Sequence, residues 1–135
     1  MEKIVLTESV ELVCVTAKSF PDGIQQAFNS LTSQLPVNCN RTFFGISYPA
    51  TNGSITYKAA VENKKGDEFE KWGLESFTIP PGIYWTETIK NFMENVSLIG
   101  ETFRKLLDNP QLEEFPCIEW YRNSKDVVCM VKIKE

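Results

Sequence analysis

The order strand, helix, strand, strand occurs twice along this chain, and that repetition limits its folding more than any other feature. In the first half, "KIVLTESVELVCVTA" over residues 3–17 alternates apolar and polar positions as a half-buried strand does. In "SFPDGIQQAFNSLTSQLP", Ile24, Ala27, Phe28, Leu31 and Leu35 fall on one helical face. Asp22 is placed to cap this helix and Pro36 to stop it. "TFFGISYP" and "SITYKAAVEN" then read as two strands joined at Asn52-Gly53, a pair suited to the positive φ of a tight hairpin. The second half repeats the order. "LESFTIPPGIYWTETI" is a strand interrupted at Pro80-Pro81-Gly82, where a kink or bulge is expected. Val96, Ile99, Phe103, Leu106 and Leu107 mark the second helix, and "CIEWYRNSKDVVCMVKI" is a hairpin turning near Asn123 to Asp126. The charged stretch "KKGDEFEKWG" between the halves reads as a loop, with Trp72 as either a lid or a loop anchor.

The expected architecture is therefore α+β. Duplicated βαββ units, about residues 1–64 and 72–135, form antiparallel sheets with both helices on one side and a ligand groove between the halves. At 135 residues the chain is the size of one domain with a continuous core.

Several classes of function are excluded or disfavoured by residue types. There is no His, which removes His-based triads and dyads, and four Cys without a C-x-x-C pair give no zinc-site spacing. No cofactor or metal is expected. The net charge is −4 and the only lysine cluster is cancelled by neighbouring acids, so no nucleic-acid footprint is present. No apolar run is long enough for a membrane span and no secretion signal precedes the first strand. The expected location is the cytoplasm, with Cys14, Cys39, Cys117 and Cys129 reduced.

The chemistry of interest lies in "CIEWY". Side chains alternate along a strand, so Glu119 and Tyr121 share one face and Ile118 and Trp120 the other. Ile118 with Trp120 is the better pair to face the helices, which would turn Glu119 and Tyr121 towards the groove. Phe44, Ile46 and Tyr48 share a face of their strand, as do Ile55, Tyr57, Ala59 and Val61, and either set could line the pocket. One ring of Tyr84 and Trp85 should contribute as well, whereas Phe28 and Phe103 are expected in the core. A carboxylate among rings either points to water or forms the floor of a pocket. In a pocket, a cationic ligand would offset its burial and gain roughly 0.5–2 kcal/mol from each well-placed ring.

Taken together, "VELVCVTAKSFPDGIQQAFNSL", "GISYPATNGSITYKAAVE", "FTIPPGIYWTETIKNF" and "FPCIEWYRNSKDVVCMVKI" resemble the GyrI-like domain. This is also described as the bacterial transcription activator effector-binding domain and is related to the SOUL fold. The resemblance implies a duplicated βαββ fold with a central groove. It also implies a late "E-x-Y" strand, occupied here by Glu119 and Tyr121, whose Glu meets lipophilic cations. Tyr57 matches the tyrosine of the family's "Y-x-A-x-V" pattern, and Trp85 follows the "PPG-x-Y" turn; Tyr48 and Phe44 rest on alternation. Residues 1–20 leave no room for a helix-turn-helix unit, so a stand-alone domain for hydrophobic cationic or planar aromatic small molecules is expected. Two alternatives follow from the same resemblance. One is a small-molecule hydrolase with Glu119 as general base, and the other a protein-binding inhibitor whose partner the sequence does not identify. A haem role would lack the axial His and leave only Met93, Met130, Cys or Tyr as ligands.

Overall fold

In a computed structural model, the structure describes residues 1–20, 22–33, 41–49, 54–63 and 74–134. The expected turn at Asn52-Gly53, the stop at Pro36, the loop around Trp72 and Cys39 lie outside these residues.

The alternating segment over residues 3–17 forms two strands, β1 (Glu2–Leu6) and β2 (Val10–Thr16), with a break at Thr7 to Ser9. Helix α1 (Ile24–Ser33) leads to β3 (Phe43–Pro49) and β4 (Ile55–Glu62). The Pro80-Pro81 interruption likewise separates β5 (Glu75–Ile79) from β6 (Gly82–Ile89), a full break where a kink or bulge was expected. A 3₁₀ turn at Phe92–Glu94 precedes α2 (Ser97–Leu106), and the chain closes with β7 (Cys117–Tyr121) and β8 (Val127–Ile133). The β7–β8 turn is held by Asn123, whose side-chain oxygen accepts from the backbone N–H groups of Lys125 and Asp126, both at 2.8 Å. Each βαββ unit is thus preceded by one further strand.

Those extra strands cross between the halves. The strands form one antiparallel eight-stranded sheet in the order β1-β6-β8-β7-β3-β4-β2-β5, curled into a half-barrel. Replacing each strand by its counterpart in the other half reverses this order onto itself, so the sheet has a pseudo-two-fold axis between β3 and β7. Among the described residues, β1 pairs only with β6 and β5 only with β2, so each half supplies the other's edge. Their edge positions also explain why the prolines beside β5 are tolerated.

Register fixes which side chains share a face. Val15 lies opposite Ala59, Ala59 opposite Gly45, Gly45 opposite Glu119, Glu119 opposite Cys129 and Cys129 opposite Glu87. Both helices cover this face. Ala27 and Leu31 of α1 pack on Val13, Ala59 and Val61, while Ile99, Phe103 and Leu106 of α2 pack with Ile89, Val127, Cys129 and Val131. Full burial of a side chain such as Leu31 or Leu106 contributes about 1.5–3 kcal/mol, so these contacts anchor each helix to its own half.

The opposite face closes on itself as the sheet curls. Its core contains Leu12, Phe44, Ile46, Ile79, Tyr84, Ile118 and Met130, with Tyr48, Phe77, Phe115 and Trp120 packed against them. Ile118 and Trp120 therefore face away from the helices, contrary to the expectation from their size. The groove lies on the helix side, between α1 and α2. Among the described residues, no helix is long and apolar enough to cross a membrane.

Candidate functional site

α1 packs on β2 and β4, and α2 on β6 and β8, which leaves the central pair β3 and β7 as the floor between them. Over this floor lies a cavity of about 780 Å³, within the usual size range for small-molecule sites. α1 contributes Ile24, Gln25, Phe28 and Thr32 to one wall. α2 contributes Ile99, Gly100, Phe103 and Arg104 to the other, joined by its flanking residues Val96 and Leu107. Phe28 and Phe103 are thus cavity walls as well as packing residues, which the sequence reading had placed in the core. A Cβ added at Gly100 would meet nothing within 4 Å, so this position keeps the α2 wall open.

Glu119 lies at the centre of the floor and is only 8% exposed. Its position depends on Gly45, directly opposite on β3. A Cβ at Gly45 would overlap both Glu119 Oε1 and the Tyr57 hydroxyl. The pseudo-symmetric centre of the sheet thus carries a side chain from one half and a gap from the other. The hydroxyls of Tyr57 and Tyr121 both donate to Oε1, at 2.7 and 2.5 Å, so Oε2 takes no part in this pair of bonds.

Burial raises the pKa of the Glu119 carboxyl above the ordinary carboxylate range, against the lowering effect of the hydrogen bonds from Tyr121 and Tyr57. Removing a carboxylate from water costs several kcal/mol, whereas each bond to its charged form returns roughly 1.5–3 kcal/mol. These are of the same order, so a modest change in surroundings can shift the proton. Burial, followed by the nearby carboxylate charge, also raises the pKa values of both tyrosines, which keeps them as neutral donors.

Aromatic contacts continue from this centre. Phe28 meets Tyr121 edge-on at 6.0 Å and Tyr57 at 6.3 Å, Phe92 lies 5.3 Å from Tyr121, and Phe20 lies 5.9 Å from Tyr57. At the mouth, Phe20, Ile55, Met93, Val96 and Leu107 are exposed, Met93 by 72%. Such a cluster of exposed apolar side chains around one opening marks a binding surface.

Of the residues singled out from sequence, Glu119, Tyr121 and Tyr57 come together at the floor. Phe44 and Tyr48 lie in the core on the opposite face, because their strand presents Phe43 and Ser47 to the cavity instead. Trp85 is on the helix side but packs in the cluster beneath α2, away from the cavity lining. Phe20, Phe28, Phe43, Phe92 and Phe103 were not assigned to the site from sequence. Helical spacing marks an apolar stripe without showing whether it faces a sheet or an opening. Among the described residues, no group of three or more Cys, Asp or Glu could hold a metal ion.

No family model and no curated protein matches the chain. Solved structures do match it in fold. An integron cassette protein from Vibrio cholerae has a TM-score of 0.66 at 12% identity, covering 98% of this chain and 95% of its own. A hydrolase from Listeria innocua has 0.60 at 11% identity, covering 98% and 90%. A protein solved bound to tetraphenylphosphonium has 0.59 at 13% identity, covering 99% and 94%.

Proposed function

We propose that this chain is a small-molecule effector-binding domain of the GyrI-like kind, whose cavity takes hydrophobic cationic or planar aromatic ligands with Glu119 as the electrostatic anchor. The observation that carries this reading is a buried carboxylate at the floor of a roughly 780 Å³ cavity with aromatic and aliphatic walls. A lipophilic cation matches every part of it. Its charge offsets the buried carboxylate, its surface covers the exposed rim, and the rings of Tyr57, Tyr121 and Phe28 supply cation–π contact. The similar structure with bound tetraphenylphosphonium supports the same reading.

The test compares tetraphenylphosphonium with triphenylphosphine oxide, a neutral compound of related shape, at pH 8 in wild type and Glu119→Gln. Loss of the carboxylate should weaken the cation at least tenfold without weakening the oxide. Equal losses for both would remove Glu119 as an electrostatic anchor.

A second reading is hydrolysis, with Glu119 activating water. Its raised proton affinity and the two tyrosine donors beside it favour this, and one similar structure is a hydrolase. Under this reading, Glu119→Gln would still bind an electrophilic substrate but not turn it over, so an active Glu119→Gln protein would end it.

A further inference from the structure

The cavity reading treats Glu119 as a fixed negative charge, but the hydrogen bonds around it describe a group with two working states. Oε1 lies over Gly45 against the sheet and receives both tyrosine hydroxyls. A carboxylate oxygen has two lone-pair directions, so Oε1 is fully occupied as an acceptor. A proton taken up by Glu119 therefore belongs on Oε2, the oxygen outside those bonds. Because Glu119 lines the cavity, that proton makes the floor a hydrogen-bond donor.

The surrounding groups do not fix the charged state. β4 contributes Tyr57, β7 contributes Tyr121 and Cys117, β8 contributes Cys129, and burial raises the pKa of each of these. Gly45 of β3 adds no charge and Phe28 of α1 only its ring. Arg104 lines the same cavity from α2, but it is exposed and its charge is screened by water. Lys58, next to Tyr57 in sequence, alternates to the other face and pairs with Glu75 at 2.7 Å. Glu87, beyond Cys129 on β6, is paired with the terminal ammonium of Met1 at 2.8 Å. No cation is thus in direct contact with Glu119 among these neighbours, and burial raises its pKa.

We propose that Glu119 is a proton-controlled selector of ligand class. With a proton on Oε2 the site takes neutral apolar molecules carrying one hydrogen-bond acceptor, such as a ketone, an ether or a phosphine oxide. Without it the site takes cations, and a cation entering the protonated site expels that proton to solvent. This rests on the binding function proposed above and adds a second ligand class to the same floor.

The test is isothermal titration of the intact wild-type protein with tetraphenylphosphonium and with triphenylphosphine oxide. Each titration is run in two buffers of different ionisation enthalpy at several pH values from 5 to 9. The cation should release up to one proton below the pKa of Glu119. Its affinity should rise by up to about tenfold per pH unit until Glu119 ionises. The oxide should release none; it should weaken as pH rises through the same midpoint and take up as much as one proton above it. Glu119→Gln should bind the oxide without pH dependence, and the wild-type proton count decides the matter even if that variant is poorly folded. Cation binding without proton release, together with a pH-independent oxide affinity, would overturn the selector and leave the binding function standing. Binding of neither compound at any pH would overturn both.

Discussion

Replacing Gly45 by Ala tests whether the buried carboxylate depends on the gap opposite it. Gly45 lies in a central strand, where Gly to Ala by itself should stabilise by about 0.5–1 kcal/mol through lower chain entropy. Here the added methyl would overlap Glu119 Oε1 and the Tyr57 hydroxyl, the two atoms joined by the 2.7 Å hydrogen bond. Overpacking of this kind costs roughly 1–3 kcal/mol, and loss of a bond to a charged acceptor about 1.5–3 kcal/mol more. The net expectation is a destabilisation of about 2–5 kcal/mol, visible as a lower urea midpoint with an unchanged slope. The control is the same substitution in a Tyr57→Leu, Glu119→Ala background. There the Glu119 Oε1, the Tyr57 hydroxyl and the ring carbon that bears it, the three atoms a Cβ at Gly45 would meet, are all gone, and Gly45→Ala should be neutral or slightly stabilising. A wild-type-like midpoint for the single variant would refute the packing argument, as would an equal loss in both backgrounds.

The remaining predictions concern pH, shape and thiol chemistry. Because the folded pKa of Glu119 is raised, its contribution to stability is full below the unfolded value of about 4.3 and is lost as pH rises through the folded value. Thermal melts should therefore show wild type losing ground to Glu119→Gln as pH increases, and a constant difference would contradict the raised pKa. Gly100→Ala should stabilise by up to about 1 kcal/mol through helix propensity, since its Cβ meets nothing. Gly100→Phe should leave the fold intact but exclude bulky ligands in the same titrations. Burial raises the Cys14 and Cys117 thiols to about 12 and about 11, and raises that of Cys129 as well. In a Cys39→Ser background, labelling by iodoacetamide at pH 7.5 should thus be slow until urea unfolds the chain, and fast labelling of the folded protein would show that the thiols are accessible.

Much of the fold could be read from local patterns because each helix and strand carries its own period. The cores of α1, α2, β3, β4, β7 and β8 lie where periodicity places them. What local patterns omit is long-range pairing. Alternation groups Phe44 with Ile46 and Tyr48, yet the side on which this set lies depends on where the helices dock. The same missing information reversed the reading of Ile118 and Trp120, and it hid the cavity role of Phe28 and Phe103. Glu119 with Tyr121 and Tyr57 was legible because a lone acid between apolar neighbours stands out, strand alternation sets Tyr121 on the same face, and the family resemblance pointed to Tyr57. Gly45 drew no attention, since its role exists only once β3 lies beside β7.

The exchange of edge strands has a consequence for the chain as a linear object. β1 is held by β6 and β5 by β2, so neither half contains all the partners its own strands require. Either half alone would expose unpaired strand edges and half of an apolar floor, a state prone to association. The peptide link between the halves therefore mainly raises their effective concentration. A protein cleaved there would remain one body, held by three strand pairs shared across the cut, and its cavity would survive because both walls are fastened to the same sheet.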